Sequence, residues 1–424
     1  MGIHLRHIKL DGLWRHRDFM FLWSGQTISE FGSIIGRSAM SFVAILTLNA
    51  TPFQMGVLSA TELLPAFLIG LFAGAWIDRL RRRPLLIGAD IGRALVLMTI
   101  PLAAVLGVLR IEQVFLVAFV VSILTIFFDI AYQSYLPALV GKDDLVEGNS
   151  KLSASASVAE FGGFSLAGWL VQALTAPFAI LIDAVTFIFS FVSIALIRTP
   201  EPKPAPTEQM DMRQEIAEGL KTVYQHAMLR ASGTAILLLG LSGGIYGSQV
   251  VLFMSRELGF TPGILTMIWA VGGGSSFIGA VLAPRFTRWL GVGWAMAAGL
   301  AIHAVTMLII LFASGANFVS AVILILQQFG DGFYLIYEIN QVSLRQGITA
   351  ERILGRVNAT MRFLAIGGTL LGSLLGGGLA QGIGLRAVLL IGGSLTIVAS
   401  LVLGLSPLRG LKNTPVLPAS EDLV

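Results

Sequence analysis

Two short stretches repeat the same chemistry: Phe127–Gln133 reads FFDIAYQ and Phe329–Leu335 reads FGDGFYL, each setting an aspartate in an apolar run. Asp331 belongs to the series Gln327, Asp331, Tyr334, Glu338 and Gln341, whose steps of four and three put all five on one face of a helix. Ser122, Thr125, Asp129 and Tyr132 make a similar face, as do Gln26, Glu30, Ser33 and Arg37, and Ser242, Tyr246 and Gln249. A carboxyl group in a narrow, low-dielectric cavity can load and lose a proton near neutrality. Carboxyls on polar faces of this kind are therefore candidates for holding a proton, with the neighbouring amides, phenols and arginine as contacts for a cargo.

The elements that must position them are membrane helices. The 424 residues are 55% hydrophobic and 12% charged, against about 25% charged in a soluble domain. Mean hydropathy is +0.82. Twelve apolar windows are long enough to cross about 30 Å of hydrocarbon as helices, near 20–43, 54–76, 85–108, 114–136, 152–174, 178–197, 231–254, 263–284, 291–313, 318–341, 360–381 and 385–405. With both termini in the cytosol, 23 of the 28 lysines and arginines fall on the inner side, so a cytosol-in, multi-pass orientation in a bacterial-type cytoplasmic (inner) membrane is expected. The net charge of +4 then reflects loops facing anionic lipid, with no nucleic-acid partner. An ionised side chain at mid-depth costs about 3 kcal/mol, so Glu30, Arg37, Glu62, Asp129, Asp183 and Asp331 must be paired, protonated or wet.

Several chemistries are excluded. The chain has no cysteine, hence no disulfide or thiolate site. It has no G-x-x-x-x-G-K-[ST] to cradle a nucleotide, and its glycine runs follow no strand. His4 and His7 stand in a surface arm and suit solvation better than a metal. No cofactor is expected beyond a coupling proton. The first window is kept as structure, being too long for a signal-peptide core.

The chain divides into a cytosolic arm (1–19), a six-helix bundle (20–198), a linker (199–230), a second six-helix bundle (231–405) and a cytosolic tail (406–424). The linker opens with Pro200, Pro202, Pro204 and Pro206 and continues as an amphipathic helix with Met212, Ile216, Leu220, Val223 and Ala227 on one stripe, expected to lie on the membrane surface. Phe127-x-Asp129-x-x-Tyr132 recurs 202 residues later, and Gly74-x-x-x-Asp78-Arg79-x-x-Arg82 has a worn copy 205 residues later, the mark of a duplicated six-helix unit.

The run Gly74-Ala75-Trp76-Ile77-Asp78-Arg79-Leu80-Arg81-Arg82-Arg83 resembles the inter-helix loop of the major facilitator superfamily, with Arg81 where that family usually has glycine. Ala131–Val140, Asp183-Ala184-x-x-Phe187 and Leu354-Gly355-Arg356-Val357 resemble its third drug:proton antiporter family, which includes macrolide and enterobactin exporters. The resemblance implies an all-α membrane protein of two six-helix bundles related by a pseudo-twofold axis, whose first, fourth, seventh and tenth spans line a central cavity. It implies efflux of a small amphipathic molecule, drug-, macrolide- or siderophore-like, by a monomer, with Asp78 and its arginines as a gate latch.

On this reading Asp331 and Glu30 are the leading proton-coupling residues and Asp129 the third. Gln26, Arg37, Glu62, Tyr132, Tyr246, Gln249, Gln327, Tyr334 and Glu338 are cavity residues. Gly74, Asp78, Arg79 and Arg82 form the gate loop, with Asp90 and Arg93 a local pair beside it. The competing reading of Glu30 is an ion pair with Arg37, two turns on. Phe164 stands where exporters of this superfamily usually carry proline, which leaves a lipid or lysolipid flippase, or an uncoupled facilitator, as an alternative on the same fold. An aspartyl protease dyad is the remote one, since Gly330-Asp331 lacks the Gly-x-Gly-Asp pattern.

Overall fold

Helices begin where the sequence supplies partners for their free amides. In the computed structural model, which describes residues 12–70, 80–141, 144–201 and 212–413, a short turn at Gly12–Arg15 leads into α1 (Arg17–Phe42). The His16 ring caps α1, accepting from the Phe19 amide at 3.0 Å. α2 (Pro52–Ile69) opens on a capping box between Thr51 and Gln54, with Pro52 where a missing N–H costs nothing. α3 (Arg82–Val105), α4 (Ile111–Val140), α5 (Leu145–Leu174) and α6 (Ala176–Ala195) follow. Next come α7 (Met212–Gln225), α8 (Ala227–Leu252), α9 (Pro262–Leu290), α10 (Val292–Ile309), α11 (Phe318–Gln328), α12 (Gly330–Ile348), α13 (Glu351–Ile383) and α14 (Leu385–Leu405). The described residues contain no strand.

Ten helical segments among the described residues are long and apolar enough to cross a membrane, against twelve expected windows. The other two windows fall on α1 and α5. These have 26 and 30 residues, length enough, but they carry Arg17, Asp18, Glu30 and Arg37, and Glu147, Lys151 and Glu160. The window expected at 152–174 starts earlier, at Leu145, and the one at 318–341 is broken at Phe329 into α11 and α12.

The same packing occurs twice. α1 lies against α5 and α6, α3 against α4 and α6, and α2 against α4; likewise α8 lies against α13 and α14, α10 against α12 and α14, and α9 against α12. α1 and α8 both end in a wider π turn, at Val43–Thr47 and Phe253–Glu257. The two groups meet through α2 on α13 and α5 on α9. Glycines permit these contacts: a side chain on Gly56 would run into the Ser373 carbonyl and Gly377, and one on Gly168 into Pro262 and Thr266. Arg256 adds a bond to the Ile45 carbonyl at 3.3 Å. The Gly56, Gly168 and Arg256 contacts lie at the end of the molecule opposite the α6–α7 linker, and α2 meets α13 again nearer the linker, where the Phe67 and Phe363 rings stack 4.7 Å apart.

α7, the amphipathic helix expected on the membrane surface, packs against α13 and the start of α8. Val223 is buried with Leu229, Val357 and Met361, Glu218 pairs with Arg356 of α13, and Gly219 sits against Thr360 and the Arg356 carbonyl. The helix stops at Gln225, so Ala227 of the expected stripe opens α8 instead. Leu220 and Tyr224 remain exposed.

Candidate functional site

The break in the tenth span shapes the site. At Phe329 the chain frees backbone groups that α9 takes up: the Ser275 hydroxyl donates to the Phe329 carbonyl at 3.0 Å and accepts from the Gly332 amide at 2.9 Å. Asp331 thereby lands in the first turn of α12, its carboxylate against Gly272.

From there the stripe read from sequence faces a cavity of about 680 Å³. Asp331, Tyr334, Glu338 and Gln341 line it from α12 together with Tyr337 and Arg345. α10 contributes His303 and Met307, α13 contributes Asn358, Arg362 and Thr369, and α8 and α14 close it with Ser242 and Thr396. The Tyr334 ring stands 5.3 Å from the His303 ring and 5.9 Å from that of Tyr337. Acids and rings thus lie deep, and arginines lie toward the linker end. Among the described residues, neither Asp331 nor Glu338 is in an ion pair.

The lining of this space comes from the second group of helices, and an adjoining crevice that shares Asn358 and Arg362 with it is lined from α2 by Ala66, Phe67 and Gly70. Glu30, Asp129 and Tyr132 gather instead with Arg37 and Arg93 among the first six helices, and Asp129 reaches the other group only as far as the field of Arg362. Glu62 lies within electrostatic reach of Arg37, while its backbone carbonyl accepts from Ser122 at 2.6 Å. Glu30 and Arg37 do not close the ion pair weighed for them, being separated by two helical turns of about 10 Å along the axis. Arg37 and Asp129 are exposed, and the Gln26 Oε1 is buried without a partner.

Three expected cavity residues belong to packing. Gln249 is fully buried, its amide donating to the Pro52 carbonyl at 3.2 Å, so it joins α8 to α2. Tyr246 is buried against Gly392 and donates to the Met307 carbonyl at 3.3 Å. Gln327 is buried on α11, above the break that turns Asp331 inward. Polar faces in a bundle serve helix contacts as well as cavities, and spacing alone does not separate the two.

Gly74, Asp78 and Arg79 lie outside the described residues. Arg82 opens α3, where Glu201 accepts from its amide at 2.5 Å and from the Arg83 amide at 3.1 Å. The Arg83 side chain donates to the last carbonyls of α6, at Ile194 and Ala195. The expected Asp90–Arg93 pair is present at 2.5 Å, but buried, with the guanidinium 4.3 Å and 4.0 Å from the ring centres of Phe128 and Phe187. His303, Asn358, Arg345 and Arg362 were not read as site residues. Only His303 gave a signal, as a lone ionisable residue in an apolar window.

Residues 13–421 match the family described as transmembrane secretion effector. The uncharacterized MFS-type transporter YfiS of Bacillus subtilis is 23% identical over 403 residues, covering 91% of this chain and 92% of that one. Macrolide efflux protein A of Streptococcus pyogenes is 25% identical over 224 residues, 52% of this chain and 54% of its own length. Among solved structures, a bacterial homologue of the iron transporter ferroportin in an inward-facing state superposes with a TM-score of 0.71 at 18% identity, covering 92% of this chain and 98% of that one. The nucleoside transporter NupG superposes at 0.72 with 15% identity over the same shares. These two likenesses establish the fold alone. A family match of this extent makes the molecule a multi-pass membrane transporter and not a protease or other enzyme. The chain belongs to the transmembrane secretion effector family of major facilitator superfamily transporters.

Proposed function

We propose that this transporter is a proton-coupled exporter of a small amphipathic molecule, working by alternating access as a monomer in a bacterial-type cytoplasmic membrane with both termini in the cytosol. Its twelve spans form two six-helix bundles, 20–198 and 231–405, related by a pseudo-twofold axis. The repeated packing and the paired π turns support that symmetry. The observation that carries the function is the cavity holding Asp331 and Glu338 beside the rings of Tyr334, Tyr337 and His303. Carboxylates give a proton or a polar cargo group a place to bind, and the rings give a large apolar body a surface. Proton and cargo compete at Asp331, and each occupant favours a different access state. Contacts at the end opposite the linker, with a cavity running toward the linker, fit a state open to the cytosol. The likeness to macrolide efflux protein A supports an amphiphile of that kind as cargo.

Inverted vesicles carrying a pH-gradient dye and challenged with lipophilic cations, macrolides and siderophores test this. A compound that discharges the gradient with the wild type and not with Asp331→Asn supports both export and the coupling residue. No discharge by an inserted, folded protein sinks proton antiport. The second reading, lipid or lysolipid movement, draws on a crevice of about 230 Å³ between α2 and α13, lined by Phe67, Phe363 and Arg362 and adjoining the cavity. It is tested by movement of a fluorescent lysolipid in the same vesicles.

A further inference from the structure

Away from the cavity, α3 and α6 enclose two carboxylates and one guanidinium. Asp90 is fully buried, and Arg93 and Asp183 are 4% exposed. Arg93 reaches one oxygen of Asp90, and the Ser190 hydroxyl lies beside Asp90; the Arg93 Nε and the Asp183 Oδ1 have no hydrogen-bond partner. The charges acting on Asp183 are Arg93 from α3 and Arg37 and Glu30 from α1; Arg93 also lies within electrostatic reach of Asp129 of α4. Arg37 is exposed and makes no ion pair with Asp183 among the described residues.

We propose that Asp90, Arg93 and Asp183 form a proton-exchange site separate from the substrate cavity, holding one proton between two acids that share one arginine. The reasoning is charge balance. Two ionised acids around a single guanidinium leave a net buried charge, which is costly to keep out of water, whereas one bound proton makes the cluster neutral. The geometry supports the exchange: Arg93 is held by the Phe128 and Phe187 rings and by its bond to Asp90, and the same guanidinium is the foremost charge acting on Asp183. It also supplies a readout. The other Asp183 oxygen is packed against Gly36 of α1, where any side chain would collide, so a change at Asp183 acts directly on the helix that carries Glu30 and Arg37. The step is a proton transfer alone: one acid gains O–H as the other, or water, gives it up.

This deepens the proton-coupled reading but has its own test, which needs no cargo. Infrared pH-difference spectra of the purified, reconstituted protein report the C=O stretch of buried protonated acids. The wild type is expected to show such a band, and both Asp183→Asn and Asp90→Asn are expected to lose the amplitude of one acid, because each leaves one acid for one arginine. Asp331→Asn removes an acid of the cavity and its own contribution, so the amplitude lost on adding Asp183→Asn is expected to be the same in that background as in the wild type. Survival of the full band in either folded asparagine variant overturns the proposal, as does its absence from the wild type; should one variant fail to fold, the other decides. A chain that discharges no gradient yet shows the band retains the site and loses only the antiport reading.

Discussion

Arg362 of α13 lies within electrostatic reach of Asp129 of α4 across the gap between the two helix groups; both side chains are exposed, and no ion pair joins them among the described residues. Arg362 also lines the cavity. If the linker end closes during transport, these two charges approach. Arg362→Ala and Asp129→Ala are each predicted to slow transport about tenfold, a change of about 1.4 kcal/mol, and the double variant is predicted to be no slower than either. Vesicle transport rates for the four proteins measure this. A double variant showing the product of the two losses would mean that the residues act independently.

Closure at the opposite end rests on backbone meeting backbone. Gly56→Leu must push α2 away from Ser373 and Gly377 of α13, and the prediction is a wider separation there. Because the chain has no cysteine, spin labels at Thr47→Cys and Ile383→Cys, flanking α2 and ending α13 at that end, report the distance without background. An unchanged distance distribution would show that α13 absorbs the side chain locally.

Thr175 joins α5 to α6 with φ 73° and ψ 155°, a region that glycine alone adopts easily. The corresponding turn between α13 and α14 uses Gly384 at φ 84°. Thr175→Gly is predicted to stabilise the protein by about 1 kcal/mol, read as a higher unfolding midpoint in detergent. A lower midpoint would mean that the hydroxyl or methyl makes a contact worth more than the strain.

Asp18, just ahead of the first span, accepts from the Arg198 amide at 3.1 Å and from the Thr199 amide and hydroxyl at 2.8 Å and 2.6 Å. Burial alone would raise its pKa, but these bonds outweigh burial and hold it below the ordinary 3.8. A lowered carboxyl contributes stability that is complete above 3.8 and disappears as pH falls through the folded-state value. Asp18→Asn is therefore predicted to lower the midpoint at pH 7, with the gap to wild type narrowing only below pH 3.8. A gap that stays constant on acidification would assign the loss to packing.

The sequence carried the helices and much of the cavity wall, because a stripe with steps of three and four must face one way. Asp331, Tyr334, Glu338 and Gln341 do share the cavity. The same rule placed Tyr246 and Gln249 on a polar face without telling that the face meets α10 and α2. Arg345 and Arg362 read only as basic residues near an inner loop, since nothing in their spacing says that α12 and α13 bring them to one space. His303 left no periodicity at all, being one polar residue in an apolar run. The break at Phe329 was illegible because its cause, the Ser275 hydroxyl, lies 54 positions earlier in the chain.

The docking of α7 sets a length. With α7 held on α13 by Glu218 and Gly219, and with Thr199 held by Asp18 and Glu201 by the start of α3, both ends of the connection are moored to opposite halves. What joins them is the chain between Glu201 and Met212, which can span at most about 40 Å. That segment is then the leash of the molecule. If transport proceeds by alternating access, trimming it residue by residue would cap how far the halves can swing apart, turning linker length into a ruler for the stroke.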